Sequence, residues 1–138
     1  TQQAPTLVFT LASESSKKAL RLQQQGVQVK AMRPDSKGGI PFHAMLMVLG
    51  KMEITSLLIE GGGGVNGRAI REGIVDKIIF YIAPLLLCGN DAKAVIDGKA
   101  LLPLDKAVQL YDINIRKVGD DLRVEGYLKK GSSCLRAS

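Results

Sequence analysis

Hydrophobic and polar positions recur along this chain with two different periods, and the switches between them outline its elements. Residues 6–10 (TLVFT) are a short run of branched and aromatic side chains, which predicts a buried strand. In the polar stretch that follows, Ser13 is placed to cap a helix, with Ser16 and Lys17 next and Glu14 in a first turn where a carboxylate favours the helix dipole. That helix is expected to reach about Gln25 and to stop at Gly26. Val27, Val29 and Ala31 then alternate and predict a second strand over 27–32, followed by a turn-rich loop over 33–39. Pro41 opens the next helix. Its Met45, Val48, Leu49 and Met52 recur at helical spacing and read as a core-facing stripe rather than a cofactor box.

Residues 54–60 (ITSLLIE) are an apolar run of strand length, expected as a central strand covered on both faces. Four glycines at 61–64 come next, then a helix over 65–72 stopped by Gly73, then an apolar strand over 74–83 broken by Pro84. Alternation of strand and helix from 6 to 83 argues for parallel strand pairs. The end of the chain differs: residues 107–118 and 122–128 alternate on either side of Gly119-Asp120-Asp121, a hairpin pattern. The fold class is therefore α/β, a mixed sheet flanked by helices with a C-terminal β-hairpin. A length of 138 residues suits one domain, and the small polar residues 131–138 are expected to be a flexible tail.

Composition narrows the function classes. Hydrophobic residues are 46% and charged residues 23%, a globular balance rather than a disordered one. The net charge of +6 suits anionic ligands, but Lys and Arg are scattered, aromatics are 4% and there is no Trp, so small phosphorylated molecules fit better than nucleic acid. The apolar stretch 78–88 contains Pro84 and is too short to span a membrane. Cys88 and Cys134 form neither a disulfide framework nor a CxxC site, and His43 is the one histidine, so no metal site is expected and a reducing, cytoplasmic setting is.

The chemistry concentrates at residues 57–68, where a strand runs into glycines and the glycines into a helix. Glycine permits close backbone approach, and the first amides of a helix lack internal partners and carry the positive end of the dipole. Together they suit a phosphate or pyrophosphate. Gly62-x-Gly64-x-x-Gly67 matches G-x-G-x-x-G, but no carboxylate stands at 82–85, against a standard Rossmann site. Gly62-xxxx-Gly67 has P-loop spacing, but Arg68 and Ala69 replace the required Lys and Ser/Thr, which disfavours an NTPase. Glu60 ends the apolar run beside the glycines, where it suits a sugar hydroxyl or base amine, or an ion pair with Arg68; for Arg71 solvent is the expected surrounding.

Residues 57–68, then Glu72-Gly73-Ile74-Val75-Asp76, then Tyr81-Ile82-Ala83-Pro84 and the closing Val118-Gly119-Asp120-Asp121-Leu122 together resemble the reductase domain of the bifunctional riboflavin-biosynthesis deaminase–reductase. The resemblance runs from about residue 6 to 128 and implies a dihydrofolate-reductase-like fold. It implies NADPH-dependent reduction of 5-amino-6-(5-phosphoribosylamino)uracil to the ribitylamino product, by hydride transfer to C1′ of the opened ribosylamine or its imine. Glu60 is similar to the family's substrate-contacting carboxylate, and Gly62, Gly63, Gly64, Val65, Asn66, Gly67 and Arg68 to the segment that seats the NADPH pyrophosphate. It also implies a homodimer and fusion to a deaminase domain. Four glycines replace the commoner two-glycine or Gly-Pro turn, and the family's N-terminal "MSLDG"-type segment has no counterpart. Residues 1–130 are thus expected to be the second half of a reductase domain. The alternatives are a catalytically incompetent half-domain that at most binds phosphorylated nucleotides, and, more weakly, a basic nucleic-acid-binding module.

Overall fold

Two β-sheets, one parallel and one antiparallel, organise the described residues, 4–86, 88, 92–98 and 103–128 of this computed structural model. They belong to two compact units, divided between Leu57 and Leu58. The expected tail 131–138 lies outside the described residues.

In the first unit, β1 (Leu7–Thr10) and β2 (Gln28–Ala31) pair in parallel through the intervening α1 (Lys17–Gln24), and the register runs from Leu7↔Gln28 to Thr10↔Ala31. The cap of α1 is Ser16, not Ser13: the Ser16 hydroxyl accepts from the Ala19 amide at 3.3 Å, while the Ser13 carbonyl accepts from the Ser16 amide in the preceding turn. Ala19 is the buried residue of α1, and the serine three positions before it is the one whose oxygen reaches its amide. Glu14 therefore precedes the helix, and its Oε1 accepts from the Ala31 amide at 2.8 Å, tying the end of β2 to the loop after β1. Gly26 ends the helix segment with φ +80, a left-handed conformation natural for glycine.

The second helix, α2 (Phe42–Lys51), has Pro41 as its N-cap rather than its first helical residue, so it starts one position later than expected. Leu49 is buried and Met45 and Val48 are half-buried, so the apolar stripe does face inward. Met52 falls past the helix as its C-cap and is 43% exposed.

The second unit holds α3 (Gly63–Arg71), β3 (Lys77–Ile82), β4 (Leu110–Val118) and β5 (Asp121–Leu128), with the strands ordered β3-β5-β4 and all pairs antiparallel. Parallel and antiparallel pairs are both present, as expected, but in separate ladders. The expected central strand at 54–60 forms no ladder, and Leu57 and Leu58 are 46% and 74% exposed. An apolar run shows what needs burial, whereas a strand also needs a hydrogen-bonded neighbour, and the described residues supply none to this segment. At the hairpin, Val118 pairs with Asp121, so the loop is the two residues Gly119-Asp120, and positive φ at Gly119 alone (+61) is the II′ pattern. Residues 107–109, expected at the start of this strand, are not part of it; Leu104–Lys106 form a 3₁₀ turn.

Paired residues of the sheet share a face. Ile78, Phe80 and Ile82 lie opposite Gly126, Val124 and Leu122, giving one apolar face. On the other, Lys77, Ile79 and Tyr81 lie opposite Tyr127, Glu125 and Arg123. Glu125 Oε2 accepts from Lys77 Nζ at 2.8 Å and from Arg123 Nη2 at 2.6 Å, and the Lys77 ammonium lies 5.1 Å from the Tyr127 ring centroid. Lys77 first, then Arg123, hold the Glu125 carboxyl below the usual carboxylate range. A carboxyl titrating lower in the folded than in the unfolded state adds stability that is present at neutral pH and lost as pH falls through the folded value. We predict that Glu125→Gln lowers the melting temperature at neutral pH. Differential scanning calorimetry should find that difference shrinking below about pH 4, the ordinary glutamate range, and vanishing once both forms are neutral.

Candidate functional site

Where α3 starts decides what the glycine corner offers. The helix begins at Gly63 rather than Val65, so two of the four glycines lie inside its first turn. Gly62 is the N-cap, with extended dihedrals (φ −69, ψ 171) and no side chain to cap with. Its carbonyl accepts from both the Val65 amide (2.9 Å) and the Asn66 amide (3.1 Å). Two amides of the expected anion seat are thus spent inside the helix. The Gly63 and Gly64 amides have no protein acceptor among the described residues. They are the ones the helix N-terminus leaves for a ligand.

The glycines divide by what surrounds them. A Cβ at Gly61 would lie 2.6 Å from Val65 Cβ, one at Gly63 would strike the Ala94 carbonyl oxygen, and one at Gly67 the Asp97 carbonyl oxygen. A Cβ at Gly62 or Gly64 would meet nothing within 4 Å. Three glycines therefore serve close packing, and two leave open space beside the free amides. Glu60 is exposed two residues before the cap.

The remaining expected site residues point elsewhere. Arg68 Nε donates to Glu72 Oε1 at 2.6 Å, an i,i+4 ion pair along the helix, so its carboxylate partner is Glu72 and not Glu60. Asn66 Nδ2 donates to the Val95 carbonyl at 3.0 Å. Arg71, expected in solvent, donates from Nη1 to the Asp97 carbonyl at 3.2 Å. The Asp97 amide in turn donates to the Gly63 carbonyl at 2.9 Å. Nothing in the composition of residues 94–98 marks them for this role. The available signal was the i,i+4 spacing of Gly63 and Gly67, which lets another backbone close on one helix face, and the unbroken glycine run conceals it.

The second unit also contains a cavity of about 440 Å³, lined among others by Gly67, Ile70 and Arg71 of α3 and by Ile78, Phe80 and Leu110 of the sheet. It is apolar, and neither Glu60 nor Gly62–Gly64 lines it, so it is not the anion seat. Among the described residues no group of three or more His, Cys, Asp or Glu is placed to hold a metal ion, and no helix is long and apolar enough to cross a membrane. We predict opposite stability effects within the corner. Gly67→Ala should destabilise by about 1–3 kcal/mol, the usual range for forced overpacking. Gly64→Ala, in open space on a helix, should be neutral or stabilising by up to about 1 kcal/mol. Urea denaturation of the two variants checks this.

Comparison with known proteins fits this geometry. A family model described as the RibD C-terminal domain matches residues 1–124. The chain is 33% identical over 118 residues to the riboflavin biosynthesis protein RibD of Actinobacillus pleuropneumoniae, covering 86% of this chain and 31% of that protein. It is 30% identical over 129 residues to the 2,5-diamino-6-ribosylamino-4(3H)-pyrimidinone 5′-phosphate reductase of Methanothermobacter thermautotrophicus, covering 94% of this chain and 57% of that relative. Among solved structures, Acinetobacter baumannii RibD matches with a TM-score of 0.71 at 21% identity, over 89% of this chain and 31% of that one. The chain thus spans about a third of the length of the RibD relatives it matches. The fold is the dihydrofolate-reductase-like one that the sequence resemblance implied.

Proposed function

The chain belongs to the RibD C-terminal domain family, and from that membership we propose that it serves the NADPH-dependent reduction of 5-amino-6-(5-phosphoribosylamino)uracil in riboflavin biosynthesis. The observation that carries the reading is the pair of free amides, Gly63 and Gly64, beside the open faces of Gly62 and Gly64 at the start of α3. Their donors and the helix dipole suit the diphosphate of a nicotinamide nucleotide, and the bound nucleotide would supply hydride. The chain's own part is to bind and orient. Gly62, Gly63 and Gly64 would hold the diphosphate through main-chain donors. Glu60, exposed on the segment leading into the cap, would accept hydrogen bonds from the pyrimidine substrate and fix C1′ of its opened ribosylamine or imine form for hydride attack. Val65, Asn66, Gly67 and Arg68 would shape the seat rather than touch the phosphates.

The archaeal relative is named for a diaminopyrimidinone, which differs from the uracil on the pyrimidine ring and shares the ribosylamino 5′-phosphate. The shared part is the one that reacts, so both substrates belong in the assay. A homodimer fits the apolar side chains left open on β4, such as Ile113 and Ile115 at 57% and 62% exposure. Fusion to a deaminase domain fits the greater length of the RibD relatives, and a cytoplasmic setting fits a soluble nucleotide and substrate.

The unladdered segment 54–60 favours one second reading: a half-domain that binds NADPH without turning substrate over. Measuring NADPH affinity and NADPH oxidation together separates the two. Reductase activity should appear as loss of absorbance at the dihydronicotinamide band on adding either pyrimidine. Glu60→Ala should lower kcat/KM by roughly one to two orders of magnitude, the worth of a lost hydrogen bond to a charged group, and leave NADPH affinity alone. Gly64→Ala should weaken NADPH. Binding without oxidation supports the half-domain, and unchanged turnover in Glu60→Ala removes that carboxylate from the site.

A further inference from the structure

A helix that starts on glycines has a weak beginning. Gly62 offers no capping side chain and Gly63 and Gly64 have wide backbone freedom, so amides at this corner would lose much entropy on ordering around a ligand. The structure supplies an external restraint. Residues 94–98 run along the face of α3 that carries Gly63, Gly67 and Arg71, three positions spaced by four and hence stacked on one side. Three hydrogen bonds spread over two helical turns join the two segments: the Asp97 amide to the Gly63 carbonyl, Asn66 Nδ2 to the Val95 carbonyl, and Arg71 Nη1 to the Asp97 carbonyl. The Gly98 amide donates to Asp97 Oδ1 at 2.6 Å and holds the turn of the strap itself. Gly63 and Gly67 permit the approach because any side chain there would strike the strap's backbone.

We infer that residues 94–98 brace the start of α3, and that Asn66 is a positioning residue which holds the Gly63 and Gly64 amides in place for a nucleotide diphosphate without touching it. The inference rests on the nucleotide-binding reading given above and refines it. The brace grips the carbonyl side of Gly63, whose amide side faces the seat. Ordering the corner before the ligand arrives leaves less freedom to be lost on binding, so affinity rises with no added contact.

The test follows two quantities in the purified protein: exchange protection of the Asp97 amide, and the dissociation constants of NADPH and of inorganic pyrophosphate. Asn66→Ala is expected to speed Asp97 exchange and to weaken both ligands by about tenfold, the equivalent of one hydrogen bond's worth of positioning. KM for the pyrimidine should not move, which a general loss of fold would not permit. Gly67→Ala, acting on the strap from another position, should do the same where it folds. The double variant should be no worse than the weaker single, because both break one brace. Weakened ligand binding with Asp97 protection intact would make Asn66 a direct ligand contact and overturn the inference. Lost protection with unchanged affinity would reduce the strap to a packing feature and also overturn it. Pyrophosphate binding that depends on Asn66, in a protein with no affinity for NADPH, would support the brace and sink the reductase reading instead. Binding of neither probe overturns both.

Discussion

The carbonyl of Gly62 accepts from two amides at once, those of Val65 and Asn66, and the placement of that bond sets the rest of the site. Had α3 started at Val65, the glycines would form a loop whose amides point in no fixed direction. Starting one residue after Gly62 turns Gly63 and Gly64 into the first helical residues. Their N–H groups then point out of the helix end and add to its dipole. The open seat narrows from seven candidate residues to a pair of amides and the bare faces beside them.

Charge works differently in the two halves of the second unit. On the sheet, Glu125 gathers Lys77 and Arg123 into one cluster, which neutralises its own carboxylate and leaves one net positive charge. On α3, Arg68 is neutralised along the helix by Glu72. In the proposed site, anions would therefore be held by main-chain donors and the dipole more than by a nearby guanidinium. That distinction matters for specificity. Backbone donors recognise the shape of a diphosphate, whereas a loose arginine would draw any anion.

Much of the fold was legible because local rules decided it. Gly26 and Gly119 take the positive φ that their positions in the pattern require, and the β4–β5 hairpin follows from alternation around a glycine turn. Where several residues offered the same chemistry, sequence alone could not choose. Ser13 and Ser16 carry the same capping oxygen, and it is the Ser16 hydroxyl that accepts from the Ala19 amide. Long-range contacts were the least legible part. The apolar pattern of 54–60 says nothing about which strand would pair with it. The partners of Asn66 and Arg71 lie 26 to 29 residues away, on carbonyls that every residue type possesses. The glycine corner stood out because apolar run, glycines and helix are neighbours in sequence, whereas the contacts of residues 94–98 with α3 join segments that are not.

The proposed nucleotide seat comes down to two particular amides, and amide chemical shifts test it directly. In a ¹⁵N-resolved NMR titration with NADPH, the Gly63 and Gly64 resonances should move furthest and shift downfield as they gain an acceptor. Val65 and Asn66, already bonded to the Gly62 carbonyl, should move much less. Largest shifts at residues lining the apolar cavity, or Gly63 and Gly64 resonances that stay in place at saturating nucleotide, would contradict the claim.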